Sequence, residues 1–153
     1  MPGYFLDTSA LAKLYHVEAG SERMEALAQS PDARLIVSQL TLVELQSVFA
    51  TKARMGVIDQ DTLDQVRGLF FADLAAGCFQ VVLVSRRYFR SAERLIRNHA
   101  VSRSLRTLDA LQLAVAVELH RRGVVAVLVA SDRNLCEVAA LEGLAVVNPV
   151  QEL

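Results

Sequence analysis

Apolar positions along the chain follow two periods in turn. Short runs rich in β-branched and aromatic residues, at 4–6, 35–38, 79–84, 124–130 and 144–147, read as strands. Between them lie longer stretches whose apolar residues recur every three or four positions. These read as helices over 8–17, 21–29, 41–55, 59–76, 86–100, 108–122 and 132–142. The run at 124–130 has no polar break, as expected for a central strand covered on both faces. The helix at 108–122 is apolar nearly all round, which predicts burial. No tight hairpin signal joins any two strands. The alternation therefore predicts an α/β fold, a parallel sheet of about five strands with helices on both faces. Ligands of such sheets gather beyond the carboxyl ends of the strands.

Local details follow from the same pattern. Ser21 is placed to cap the second helix, and Thr41-Leu42-Val43-Glu44 fits a capping box. In the helix at 86–100, Phe89, Ala92, Leu95 and Ile96 are expected to face inward. Leu11, Leu14, Leu42, Val43, Val48 and Phe49 make the early helices richly apolar, either as core or as a partner's surface.

Four acids stand at informative places in this frame. Asp7 ends the first strand, and Asp132 follows the 124–130 strand after one serine. Glu44 lies near the start of the helix after 35–38, and Asp109 near the start of the buried helix. Taken singly, each is explained by capping or by the positive end of a helix dipole. Taken together, three of them meet at one sheet edge. Two like charges about 4 Å apart cost roughly 4 kcal/mol at an effective dielectric of about 20, so such a cluster asks for a cation. Periodicity alone does not bring Asp109 there, because its helix follows another helix.

Length and charge narrow the picture further. The 153 residues suit one domain, 1–153, and 53% are hydrophobic, enough for a sizeable core. The net charge of −1 does not announce a nucleic-acid binder. The distribution does more: between Arg86 and Arg106 stand seven arginines and one acid, Glu93. Arg86, Arg90, Arg94 and Arg97 share one helix face, and Arg103 and Arg106 lead to Asp109. This run is the expected grip on substrate phosphates, with a solvated face or a surface that binds an acidic partner as the plainer alternatives. Cys78 and Cys136 lack metal-ligand spacing and are expected to be free thiols. No signal-peptide pattern or membrane-length apolar run occurs, so a cytoplasmic protein with no membrane partner is expected.

Four motifs then carry a family resemblance. Phe5-Leu6-Asp7-Thr8-Ser9-Ala10-Leu11, Thr41-Leu42-Val43-Glu44-Leu45, Leu108-Asp109-Ala110-Leu111-Gln112-Leu113-Ala114 and Ser131-Asp132-Arg133-Asn134-Leu135 occur in order. Together they resemble the motifs of PIN domains, and the length resembles the VapC toxins of type II toxin–antitoxin systems. The resemblance implies a PIN-like fold and an endoribonuclease dependent on Mg²⁺ or Mn²⁺. It implies Asp7, Glu44, Asp109 and Asp132 as the catalytic and metal-binding acids, with Asp7 and Asp109 the firmer ligands. It places Asp109 beside Asp7, and Ser9 and Ser131 near the site. It also implies a VapB-like antitoxin and a homodimer.

The expected chemistry is hydrolysis of an RNA phosphodiester by metal-activated water, leaving a 5′-phosphate and a 3′-hydroxyl. Mg²⁺ suits an all-oxygen set and retains several waters. Three other readings compete. Asp7 would be the nucleophile of a haloacid-dehalogenase-like phosphohydrolase, but Ser9 stands where that pattern needs a second acid. The acids would merely cap helices in a non-catalytic module. A metal-free ribonuclease would use His16, His99 or His120. Dinucleotide binding has no G-x-G-x-x-G to rest on.

Overall fold

The computed structural model describes residues 1–151, so Glu152 and Leu153 of the expected 1–153 domain lie outside the described residues. Five strands pair in parallel: β1 (Gly3–Leu6), β2 (Arg34–Ser38), β3 (Gln80–Val82), β4 (Val127–Val129) and β5 (Ala145–Val147). Their order is β3-β2-β1-β4-β5. The helices are α1 (Thr8–Leu11), α2 (Ser21–Gln29), α3 (Gln39–Arg54), α4 (Gln60–Ala75), α5 (Arg86–His99), α6 (Thr107–Arg121) and α7 (Arg133–Leu141). A 3₁₀ turn, Ala12–Leu14, follows α1.

Alternation along each strand sorts the helices into two layers. Phe5, Ile36 and Leu128 enter a core shared with α5, α6 and α7. Their neighbours Leu6, Leu35, Val37 and Val129 enter a second core with the first four helices. The expected α/β sheet with helices on both faces is thus observed. Gly3 lets the sheet and the segment before β4 approach, since a Cβ there would collide with the Val124 carbonyl oxygen.

The chain runs from β1 outward through β2 to β3, then returns to β4 on the other side of β1. A topological switch therefore lies between the carboxyl ends of β1 and β4, where open α/β sheets hold ligands. The Asp7 N–H donates to the Val129 carbonyl at 2.9 Å, which fixes Asp7 at that switch.

Several local expectations change for tertiary reasons. The helix expected over 8–17 is α1 and the 3₁₀ turn instead. There Lys13 turns inward to Glu18 at 3.1 Å, and its carbonyl accepts from Ser21 Oγ at 2.8 Å. Ser21 consequently does not cap α2; Gly20 holds that position at φ +91°. The capping box at Thr41 does not form, because α3 begins at Gln39 and Thr41 is already inside its first turn. Glu44 is left to accept bonds from elsewhere. On α5 the buried stripe is Tyr88, Ala92 and Leu95, while Phe89 is 56% exposed. Phe89 borders a shallow apolar groove with Ile96 and Leu111. Of the early-helix apolar residues, Leu11 and Phe49 are core, Leu14, Leu42 and Val48 pack against it, and Val43 is exposed. No helix among the described residues is long and apolar enough to cross a membrane.

Candidate active site

Asp7 leaves β1 and caps α1, accepting from the Ser9 amide at 3.3 Å and Ser9 Oγ at 2.7 Å. It is only 6% exposed. Burial pushes its carboxyl up from 3.8 to about 6; the Ser9 hydroxyl opposes this, and the charges of Glu44 and Asp109 reinforce it. Asp132 caps α7, accepting from the Leu135 amide at 3.0 Å. Asp109 lies in the first turn of α6, with Arg106 Nε 3.4 Å from its carboxylate. Glu44 sits one turn into α3 and accepts from Gln112 Nε2 at 2.7 Å and Thr8 Oγ1 at 3.2 Å. All four acids line one cleft of about 430 Å³, together with Ser9, Ser47, Arg106 and Leu108. Arg106 is the one cation among these lining residues.

The tertiary fold thus brings Asp109 to Asp7, which periodicity did not. It also brings a residue the acid pattern missed. Gln112, 1% exposed, stands one turn after Asp109 on α6. Its Nε2 donates to Glu44, to Thr41 Oγ1 at 2.8 Å and, more weakly, to Thr8 Oγ1 at 3.4 Å. Its Oε1 accepts from Ser38 Oγ at 2.7 Å. One side chain therefore ties α1, β2, α3 and α6 together behind the cleft. The available signal was a lone amide in the apolar run Leu111–Val117, since polar groups rarely enter such a face without partners.

Ser9 and Ser131 are connected but not equivalent. The Ser131 N–H donates to Ser9 Oγ at 3.1 Å, and the Ser9 hydroxyl in turn donates a hydrogen bond to Asp7 at 2.7 Å. Ser131 Oγ is buried without a partner, and Ser131 borders a neighbouring polar groove with Arg133 and Asn148.

The arginine run is divided by the structure. Arg106 reaches the acid cleft. Arg97 stands 3.6 Å from Glu93, and Arg103 stands 3.7 Å from Glu137. Arg86, Arg90 and Arg94 line a separate groove with Arg87 and Arg121. The histidines are engaged elsewhere: His16 with Lys52, His99 with Glu142, and His120 with the Val125 carbonyl. Among the described residues lining the acid cleft there is no histidine. The free thiols are Cys78, exposed, and Cys136, whose thiol burial pushes up to about 11.

The architecture is shared with solved proteins of low sequence identity. VapC20 of Mycobacterium tuberculosis, a toxin that cleaves the sarcin–ricin loop, superposes with a TM-score of 0.66 at 20% identity, covering 95% of this chain and 99% of that one. VapBC2 from Rickettsia felis, solved with a DNA fragment from its promoter, gives 0.65 at 16% identity, covering 95% and 98%. VapBC-5 of Mycobacterium tuberculosis, from the VapBC toxin–antitoxin family, gives 0.57 at 20% identity, covering 97% and 99%. No curated protein sequence matches the chain. The PIN domain family matches residues 4–141, which takes in all four acids and the whole acid cleft; the chain belongs to the PIN domain family.

Proposed function

We propose that the protein is an endoribonuclease and the toxin of a toxin–antitoxin pair, with the whole chain acting as one nuclease domain. The observation that carries this reading is the convergence of four carboxylates and one arginine in a single cleft at the switch point of a PIN fold. The neighbouring folds that cleave RNA or pair with antitoxins support it.

The donor set suits a hard divalent cation. Every acid in the cleft offers oxygen, and Asp7 is pushed up chiefly by burial, with the charges of Glu44 and Asp109 adding to it. Among the described residues no three acidic, histidine or cysteine side chains stand close enough to enclose an ion by themselves. Mg²⁺ or Mn²⁺ held by one or two carboxylates and several waters fits that arrangement. Asp7 and Asp109 would hold the ion, with Glu44 and Asp132 on its hydration shell. When bound, the ion supplies neutralisation of phosphate charge and a more acidic water.

The chain's own groups do the rest. Gln112 and Thr8 fix the Glu44 carboxylate, the Leu135 amide fixes Asp132, and Ser9 fixes Asp7. These held oxygens orient a water in line with the scissile phosphorus. Arg106 meets the phosphate from the cleft's rim. Attack forms a bond between the water oxygen and phosphorus and breaks the bond to the 3′-oxygen. The products carry a 5′-phosphate and a 3′-hydroxyl. A VapB-like antitoxin and a second copy of the chain are the proposed partners, and the cytoplasm the proposed compartment.

The test is cleavage of cellular RNA by purified protein, with the new 5′-ends mapped. Cuts with 5′-phosphates are expected in Mn²⁺, and none in EDTA or with Asp7→Asn. Cleavage that survives excess EDTA would sink the metal-dependent reading.

A further inference from the structure

The groove away from the acids has an unusual charge balance. Arg86, Arg87, Arg90 and Arg94 of α5 and Arg121 of α6 line a cavity of about 380 Å³. Its acid is Glu118, already engaged by Ser91 Oγ at 2.7 Å and Arg121 at 3.3 Å. Among the described residues, Arg86, Arg87, Arg90 and Arg94 have no carboxylate within ion-pair distance. Arg94 Nη2 is buried and has no hydrogen-bond partner at all. A buried guanidinium donor without an acceptor costs free energy, and four unpaired guanidiniums on one wall repel one another. An anionic ligand removes both penalties. Planar forks that donate in pairs match phosphate oxygens in particular.

One helix, α6, contributes to both the groove and the cleft. Asp109 is in the first turn of α6, and Glu118 and Arg121 are nine and twelve residues further along it. At about 1.5 Å of rise per residue they lie roughly 14 and 18 Å from Asp109 along the axis. At about 3.4 Å of rise per stacked nucleotide, a backbone that reaches both cleft and groove must span at least roughly four or five nucleotides. α5 packs along α6, and Ser91 of α5 bonds Glu118 of α6 at the groove itself.

We propose that this groove is a second phosphate-binding site, which holds the RNA backbone several nucleotides away from the scissile bond. The inference rests on the ribonuclease reading for the identity of the ligand. It replaces an undivided arginine face with a different set: Arg87 and Arg121 join Arg86, Arg90 and Arg94, Arg97 and Arg103 leave it, and Arg106 serves the acid cleft. The protein then selects RNA long enough, or folded so, that its backbone reaches both sites. An acidic protein segment is the competing occupant, but it would not account for a groove that shares a helix, α6, with the acid cleft.

The experiment is binding, measured without catalysis. In the Asp7→Asn background, Arg90 and Arg94 are both replaced by Gln, and affinity is read by fluorescence anisotropy for a three-nucleotide and a twelve-nucleotide RNA. The longer RNA is expected to bind at least tenfold more weakly, with its log–log salt slope reduced by about 1.4, or about 0.7 per lost phosphate contact. The three-nucleotide RNA is expected to lose far less. A double Lys variant, which keeps the charge, should recover most of the affinity and slope. Equal losses for both RNAs would overturn the proposal. So would an unchanged salt slope, or loss of binding to a polyglutamate peptide without loss of RNA binding. Failure of the wild type to cut any RNA in Mn²⁺ would count against the nuclease reading alone, because the binding comparison does not depend on cleavage.

Discussion

At one end of α6, Asp109 faces Asp7, Glu44 and Asp132; at the other, Glu118 and Arg121 border the arginine groove. The acid cleft draws its residues from positions 7 to 132 and backs onto a buried amide, Gln112, that links four elements. The arginine groove is made largely from one helix, by residues three and four apart, and most of its side chains are exposed. The first is a preorganised site where burial pushes the Asp7 carboxyl up to about 6. The second is an open electrostatic surface, suited to grip a backbone and unsuited to chemistry. The contrast separates two tasks that a sequence presents only as clusters of charge.

The sharpest way to break this contrast is to remove charge from each end. Asp7→Asn should lower the cleavage rate by roughly a thousandfold, about 4 kcal/mol of transition-state stabilisation, in single-turnover assays with Mn²⁺. Loss of activity together with loss of folding would not count, so circular dichroism accompanies the assay. Asn is a good cap, and α1 should keep its start.

The same variant should be more stable than the wild type when metal is absent. The folded Asp7 pKa, about 6, lies above the ordinary 3.8. Between those values the folded state binds more protons, so its stability falls as pH rises through that window. The stability is fully present below about pH 4 and lost above about pH 6. About two units at about 1.4 kcal/mol each set the upper bound near 3 kcal/mol. Urea melts in EDTA at pH 8 should therefore favour Asp7→Asn, and the advantage should shrink toward pH 4. An advantage independent of pH would assign it to some other cause.

Gln112→Leu tests the support behind the cleft. It leaves Ser38 Oγ without its acceptor and Glu44 without its closest donor. A stability loss of about 1–3 kcal/mol is expected in urea melts. Turnover should fall further than KM rises, and Gln112→Asn should restore little, because it is one carbon shorter. A KM effect with turnover intact would show that Gln112 only holds the helices together.

The smallest effect belongs to Arg97 and Arg103. Both stand near acids, Glu93 and Glu137, outside the groove. Replacing them with Gln should change RNA affinity by less than about twofold, at the scale of an exposed ion pair. A loss comparable to that of Arg90 and Arg94 would restore the undivided arginine face.

Much of this organisation is legible in the residues. Strand and helix periods yield the parallel sheet because each run repeats its burial every two or every 3.6 positions. Asp7 and Asp132 are readable as helix caps at strand ends, and they are caps. The motif resemblance names all four acids of the cleft. Local signals fail where a distant residue supplies the partner. Thr41 and Glu44 have the spacing of a capping box, yet Glu44 bonds Gln112 and Thr8 across the fold. Ser21 has the residue type of a cap, yet its hydroxyl is drawn to the Lys13 carbonyl. Phe89 has the type of a core residue, yet Tyr88 takes the buried place on α5.

The sequence by itself determined the alternation of elements, the positions of the acids at strand ends and the helical register of the arginines. Those depend on neighbours within a few residues, where backbone geometry alone sets who faces whom. The tertiary structure decided which acids meet, that Gln112 stands behind them and that the arginine run is divided between two sites. Those depend on the β3-β2-β1-β4-β5 order and on the packing of α5 along α6, contacts between residues far apart in the chain that no local period encodes.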